Sequence, residues 1–243
     1  MSRSRQIELD RLTALPFAHR GLHGPGRIEN SRAAFEAAIA AGHGIELDVQ
    51  ASRDGEAIVF HDYQLERLTE GAGDVAQLGA RELQSIRFQG SGETLPSLRE
   101  VLDLVASRVP LLIEVKAPDA KVTRLCLAVF RSLEGYRGPV GIMSFNPEVS
   151  RWFERHGPRL LRGLVVTEEG KRGLRGRIER SLALWRSQPD FLAYDVRDLP
   201  SRFADRVRRR GTPVLTWTVR SEADRARAAA SADQIIYELR ADA

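Results

Sequence analysis

Cysteine is nearly absent. Cys126 is the one thiol in 243 residues, which excludes an internal disulfide framework. Its neighbours Leu125, Leu127 and Val129 mark it as a buried thiol with no redox task. That usage fits a reducing compartment, and the chain reads as cytoplasmic. No stretch approaches the ~20 apolar residues of a membrane span. Met1 to Asp10 carries charges but no apolar run, so neither a leader nor a stable membrane association is expected. Aromatic residues make up 7% and are scattered; a nucleic-acid groove would want a basic and aromatic stripe, so no nucleic-acid partner is expected. Charge of one sign forms no long block either. The net charge is +4, with arginines interleaved among acids, and the densest cluster, Arg206 to Arg210, runs into Gly211 where a helix should end. Cations are favoured at such an end by the helix dipole. The cluster reads as a solvated helix face, while a mildly basic surface still attracts an anionic substrate.

What is present is a core-forming composition, 42% hydrophobic, in a regular alternation. Eight apolar runs read as strands: Leu15-Ala18, Gly44-Gln50, Leu111-Val115, Val140-Ser144, Leu161-Val166, Phe191-Tyr194, Val214-Val219 and Gln234-Tyr237. Helical patterns lie between them at Ser31-Ala41, Ser97-Ala106, Lys121-Leu133, Pro147-Arg155, Ile178-Arg186, Arg202-Arg209 and Glu222-Ala230. Ser97 with Glu100 has capping-box spacing. Alternating strands and helices predict parallel strands joined by crossovers, and eight repeats at this length suit a (β/α)8 TIM barrel. The exception is a Gly-rich excursion after the second strand, about 62–95, with a short helix at Arg81-Ile86. No linker, repeat or low-complexity tract divides residues 1–243, so one domain is expected.

In Gly44-Ile-Glu-Leu-Asp-Val-Gln50 the acids Glu46 and Asp48 share one face of an otherwise apolar strand. Taken alone they fit a wet edge-strand face. A barrel changes this, because its active site lies at the C-terminal ends of the strands. The first strand leads into His19-Arg20-Gly21, the second carries Glu46 and Asp48, and the third ends in Glu114-Val115-Lys116. Three carboxylates make a hard-oxygen site suited to magnesium, calcium or manganese, while a single cysteine argues against structural zinc. His19 and His61 can divide general-base and general-acid roles, and Arg20 and Lys116 suit phosphate oxygens. The set reads as a phosphodiester site.

These residues also carry a resemblance. Phe17-Ala-His-Arg-Gly21, Glu29-Asn-Ser31, Ile45-Glu-Leu-Asp-Val49, Val59-Phe-His-Asp62, Leu65-Glu-Arg-Leu-Thr69, Leu95-Pro-Ser-Leu98 and Ile113-Glu-Val-Lys116 fall in the order typical of the glycerophosphodiester phosphodiesterase family. Ser144-Phe-Asn146 and Leu215-Thr-Trp-Thr-Val219 resemble it more loosely. The resemblance implies a divalent metal held by Glu46, Asp48 and Glu114, His19 and His61 as the acid/base pair, and Arg20 and Lys116 on the phosphate. It also implies Glu29 as a metal-side or supporting partner and Trp217 near the leaving alcohol. The expected reaction hydrolyses a small-molecule glycerophosphodiester to glycerol 3-phosphate and an alcohol. Alternatives are cleavage of lysophospholipids in the manner of a lysophospholipase D, and a barrel that binds phosphorylated metabolites without turnover. The oligomeric state is left open.

Two stretches depart from that pattern. Ile28 replaces a proline, and the last strand runs Asp233-Gln-Ile-Ile-Tyr-Glu238, where Gln234 and Tyr237 are bulky enough to alter the pocket floor or rim. The other histidines read as incidental: His23 as an exposed loop residue, His43 and His156 as residues at helix ends. Tyr194-Asp195 closes a strand and points toward the active face, and Trp152 and Trp185 are expected on helix faces packed against the barrel.

Overall fold

The computed structural model describes residues 2–239. Its strands are β1 (Phe17–His19), β2 (Gly44–Ala51), β3 (Ala57–Val59), β4 (Leu111–Val115), β5 (Val140–Ser144), β6 (Leu161–Val166), β7 (Phe191–Asp195), β8 (Val214–Val219) and β9 (Gln234–Tyr237). Among the described residues, the eight strands other than β3 pair in parallel, in the closed order β1-β2-β4-β5-β6-β7-β8-β9 and back to β1. β3 folds back antiparallel on the C-terminal end of β2, pairing Val59 with Val49. The helices are α1 (Arg3–Leu12), α2 (Arg32–Ala40), α3 (Ala80–Ser85), α4 (Leu98–Val105), α5 (Thr123–Ser132), α6 (Pro147–His156), α7 (Leu174–Ser187), α8 (Arg202–Arg208) and α9 (Glu222–Ser231). The expected TIM barrel is therefore present. None of the described helices is long and apolar enough to cross a membrane.

The strand alternation sorts side chains between two cores. Ile45, Leu47, Val49, Ile113 and Val115 face outward and pack with apolar residues of α2, α4 and α5. Phe17, Leu112, Met143, Leu161, Phe191, Leu215 and Ile236 face inward and fill the barrel. Space for Phe191 comes from Gly163, where a Cβ would lie 2.3 Å from the ring. Local capping fixes the helix starts: Ser31 accepts from the Ala34 amide at 3.2 Å, and Ser97 and Glu100 form the anticipated capping box. Above the apolar plug the inward positions turn polar, at Glu46, Asp48 and Glu114.

Several elements differ from the sequence reading. The charged N-terminal stretch, which no apolar run marked as an element, forms α1, which inserts Leu9 and Leu12 into the interior cluster and closes the bottom of the barrel. Arg5 anchors it by pairing with Asp190 and donating to the carbonyl of Leu160 at 3.0 Å. β3 is an additional strand, and α7 starts at Leu174, four residues before the expected Ile178. Trp152 packs edge-on against Phe130 and Phe153. Trp185 does not pack as expected; it is 71% exposed, because α7 meets the barrel with Gly176, Arg180 and Ser187 instead. Excursion 62–95 carries α3 within one residue of the predicted helix and adds Leu65, Val75, Leu83, Phe88 and Leu95 to a small core shared with Ile58 and Phe60.

Cys126 is buried, and burial pushes its thiol up to about 12. Gln234 and Tyr237 do not reshape the pocket floor or rim. Gln234 sits at the N-terminal end of β9 and donates to the Thr13 carbonyl at 2.9 Å, while Tyr237 points outward, its hydroxyl 2.5 Å from His43 Nδ1. His43 thus bonds to a side chain of the barrel wall, whereas His156 sits at the end of α6, stacked on Trp152.

Candidate active site

The C-terminal ends of β1, β2 and β4 carry the expected polar residues to one mouth because the barrel register aligns them. His19 pairs with Glu46 across β1 and β2, and Asp48 with Glu114 across β2 and β4. The turn after β1 is held in the left-handed region, with φ of 56° at Arg20 and 80° at Gly21. Gly21 suits that conformation, and a Cβ there would lie 2.9 Å from the backbone of Ala34. Arg20 occupies a backbone conformation that non-glycine residues seldom adopt, which directs its amide at the carboxylate cluster. That amide donates to Glu46 Oε2 at 3.0 Å, and the guanidinium lies 3.2 Å from Asp48 Oδ2.

Oxygens of Glu46, Asp48 and Glu114 lie within 4.8 Å of one another. Burial, then repulsion from Asp48 and Glu114, raises the Glu46 carboxyl well above the carboxylate range. Burial also raises Glu114, with Lys116 opposing. Burial pushes Asp48 the same way, but Arg20 and Lys116 together outweigh it and hold the group below its usual range. Lys116 Nζ stands 3.0 Å from Glu114 and 3.6 Å from Asp48. Asn30 Nδ2 donates to Asp48 at 3.0 Å. Glu46 Oε1 is buried and has no partner among the described residues. An all-carboxylate donor set with one uncommitted buried oxygen fits a hard divalent cation.

The two candidate histidines flank this cluster, and each has its Nδ1 held by a carboxylate. His19 Nδ1 is 2.6 Å from Glu238 Oε1, with its Nε2 3.8 Å from Glu46. His61 Nδ1 is 2.6 Å from Asp62 Oδ1. Burial lowers the pKa of both rings; Glu238 opposes this at His19, and Asp48 and Asp62 oppose it at His61. Glu238 accepts two further bonds from Arg220, at 2.6 and 2.9 Å, and these with His19 hold it far below the carboxylate range despite burial.

Glu29 lies with the arginines, accepting from Arg20 at 2.7 Å and from Arg67 at 2.7 Å, and is not one of the three clustered carboxylates. Arg67 also pairs with Asp62. An unbroken chain of contacts thus joins His61, Asp62, Arg67, Glu29, Arg20 and Asp48. Trp217 lines the cleft edge-on to Phe145, 5.6 Å between ring centres, and its indole N–H donates to the Ala193 carbonyl. The cleft encloses about 330 Å³ and continues past the carboxylates to Asp195, Arg197 and Arg220.

Sequence reasoning missed Asp62, Arg67 and Glu238 as supporting residues. Asp62 beside His61 was the available signal; Glu238 drew notice only as a departure. His23 is not a freely exposed loop residue: its Nε2 is buried, 3.9 Å from Glu238, with no hydrogen-bond partner among the described residues. The Tyr194-Asp195 pair divides. Asp195 faces the cleft, locked by Arg197 and Thr167, while Tyr194 faces the helices and donates to Glu168 at 2.5 Å.

Known proteins resemble this chain in sequence and fold. The model of the "Glycerophosphoryl diester phosphodiesterase family" matches residues 19–238. A glycerophosphodiester phosphodiesterase of Caldanaerobacter subterraneus subsp. tengcongensis is 33% identical over 164 residues, 63% of this chain and 67% of the relative. The "probable glycerophosphodiester phosphodiesterase 2" of Mycobacterium tuberculosis is 30% identical over 83% of this chain and 72% of its own length. Among solved structures, an Oleispira antarctica phosphodiesterase in complex with the product sn-glycerol-3-phosphate superposes with a TM-score of 0.79 at 23% identity, over 93% of each chain.

Proposed function

Since the chain belongs to the glycerophosphoryl diester phosphodiesterase family, and so to the phosphoric diester hydrolases, we propose that it cleaves a glycerophosphodiester to glycerol 3-phosphate and an alcohol in the cleft at the C-terminal mouth of its barrel. The observation that carries this reading is the convergence of three buried carboxylates, one with an uncommitted oxygen, with two carboxylate-anchored histidines and two cations. The product in the Oleispira structure supports a substrate of the same kind.

Glu46, Asp48 and Glu114 would hold a divalent cation, magnesium or calcium first and manganese as an acceptable substitute. A divalent ion held there would supply charge neutralisation at the phosphate and Lewis-acid activation of the attacking oxygen. Arg20 and Lys116 face the same carboxylates, and each has donors left for phosphate oxygens. Glu29 keeps Arg20 turned toward Asp48, and through Arg67 it couples that arginine to the His61 side.

With Nδ1 of each ring occupied, Nε2 is the nitrogen available to the substrate. One histidine takes the proton of the attacking hydroxyl, and the other delivers a proton to the departing alkoxide as the P–O bond breaks. Glu238 and Asp62 fix the ring orientations and stabilise the imidazolium, which the base becomes and the acid starts from. The nucleophile is water or the neighbouring glycerol hydroxyl, and Trp217 with Phe145 borders the space for the leaving alcohol. Phosphorus NMR of turnover in 18O-labelled water tests the reading. Direct attack places one 18O in glycerol 3-phosphate at first appearance, whereas attack by the hydroxyl accumulates a cyclic phosphodiester first. Absence of both products from every glycerophosphodiester offered would overturn the assignment.

A further inference from the structure

Helix α7 carries an apolar face that no described residue covers. Leu174 is 73% exposed, Ile178 52%, Leu182 57% and Trp185 71%. At ~100° per residue these four positions fall within an arc of about 80°, so they form one stripe along the helix. The opposite side, Gly176, Arg180 and Ser187, is buried, with Ala183 and Leu184 packed on the barrel wall. The stripe is thus the outer surface of a well-seated helix. A contiguous exposed patch of this kind marks a docking surface.

Its flanks indicate the partner. Residues 171–187 contain six cationic side chains and one carboxylate, Glu179. By the same helical geometry Arg175 and Arg186 lie on one side of the stripe and Arg177 on the other. Arg180 is buried against Glu168, and Arg172 and Arg186 pair with Asp198 and Glu148. Glu179 is shared by Lys171 and Arg175, at 3.1 and 3.0 Å, and Arg177 has no carboxylate within ion-pair distance among the described residues, so the exposed flanks keep a positive excess. Pairing two copies of α7 face to face would bring these arginine rows together. An anionic lipid surface instead accepts the leucines, isoleucine and tryptophan at the headgroup boundary and answers the arginines with phosphate. Arg172, just before α7, pairs at 3.3 Å with Asp198, next to the cleft residue Arg197, so the loop entering the stripe is tied to the catalytic rim.

We propose that the exposed face of α7 docks the barrel on the surface of an anionic phospholipid bilayer, with the cleft opening beside the membrane. This stands apart from the identity of the diester cleaved.

Flotation of the full chain with phosphatidylcholine vesicles, with and without phosphatidylglycerol, tests it. Wild type is expected to float with the anionic vesicles only, and raised salt should release it. Ile178→Ser combined with Trp185→Ser is expected to lower partitioning by about tenfold or more, with turnover of a soluble diester unchanged. Trp185→Ala alone serves should the double variant melt early, and Arg175→Glu with Arg177→Glu should lose binding while keeping the apolar stripe. No flotation of wild type, or equal flotation of wild type and variants, overturns the proposal. So does light scattering that finds a dimer abolished by the same substitutions, since the occupant would then be a second copy of this chain.

Discussion

His61 and its neighbours illustrate how far one side chain's role follows from its contacts. His61 lies beside the carboxylate cluster without belonging to it, and Asp62 fixes its Nδ1. His61→Ala should therefore leave divalent-ion binding intact, measured by calorimetry, while kcat falls by ~10²–10⁴. An unchanged rate would remove His61 from the proton transfers. Asp62 also allows a pH prediction. Burial favours its neutral form, but Arg67 and His61 outweigh this and hold it at about 2, below the usual 3.8. Its folded pKa is depressed, so its contribution to stability is complete above ~4 and is lost as pH falls through the folded value. The melting temperature of Asp62→Asn should fall below that of wild type at pH 7, and the gap should narrow as pH drops from 4 toward 2; a gap independent of pH would contradict the assignment. The sequence exposed the proposed site because Glu46, Asp48, Glu114 and Lys116 follow strand alternation. It hid Glu238 because that carboxylate gains its meaning only where β9 closes against β1 and brings it to His19, 219 residues away.

At the level of elements, the strands were legible as apolar runs and the helices between them as amphipathic patterns with caps. α1 was not, because only Leu9 and Leu12 of its ten residues are buried, too few to set a period. Its role depends on the open barrel bottom it fills. Leu12→Ala should destabilise the protein by about 2–5 kcal/mol, in the range of large-to-small changes in packed cores, read as a lowered denaturation midpoint. A midpoint within error of wild type would mean α1 is an appendage rather than a plug. α7 was misjudged for the converse reason. Its Trp185 was credited to the barrel side, whereas Gly176 and Ser187 allow the close approach there and leave Ile178 and Trp185 outside. A hydrophobic period identifies a face but not which way it points.

Over the whole molecule, closure of the barrel turns separate motifs into one site. Three strands place acids side by side at the mouth, the apolar plug of Phe17, Leu112, Phe191 and Ile236 removes water from beneath them, and cations from the β1 and β4 ends hold the cluster together. Burial and mutual repulsion push Glu46 above its normal range, an arrangement that favours a divalent cation among the carboxylates. On the proposed reading this carboxylate cage, and not the histidines alone, makes the diester reactive. That claim is tested most directly by following glycerol 3-phosphate release from a panel of glycerophosphodiesters after chelation and after adding back magnesium, calcium or manganese, for wild type beside Glu46→Gln. Release that chelator abolishes, that a divalent ion restores in wild type, and that no ion restores in Glu46→Gln is the predicted result. Release indifferent to chelator, or restored equally in the variant, would contradict it.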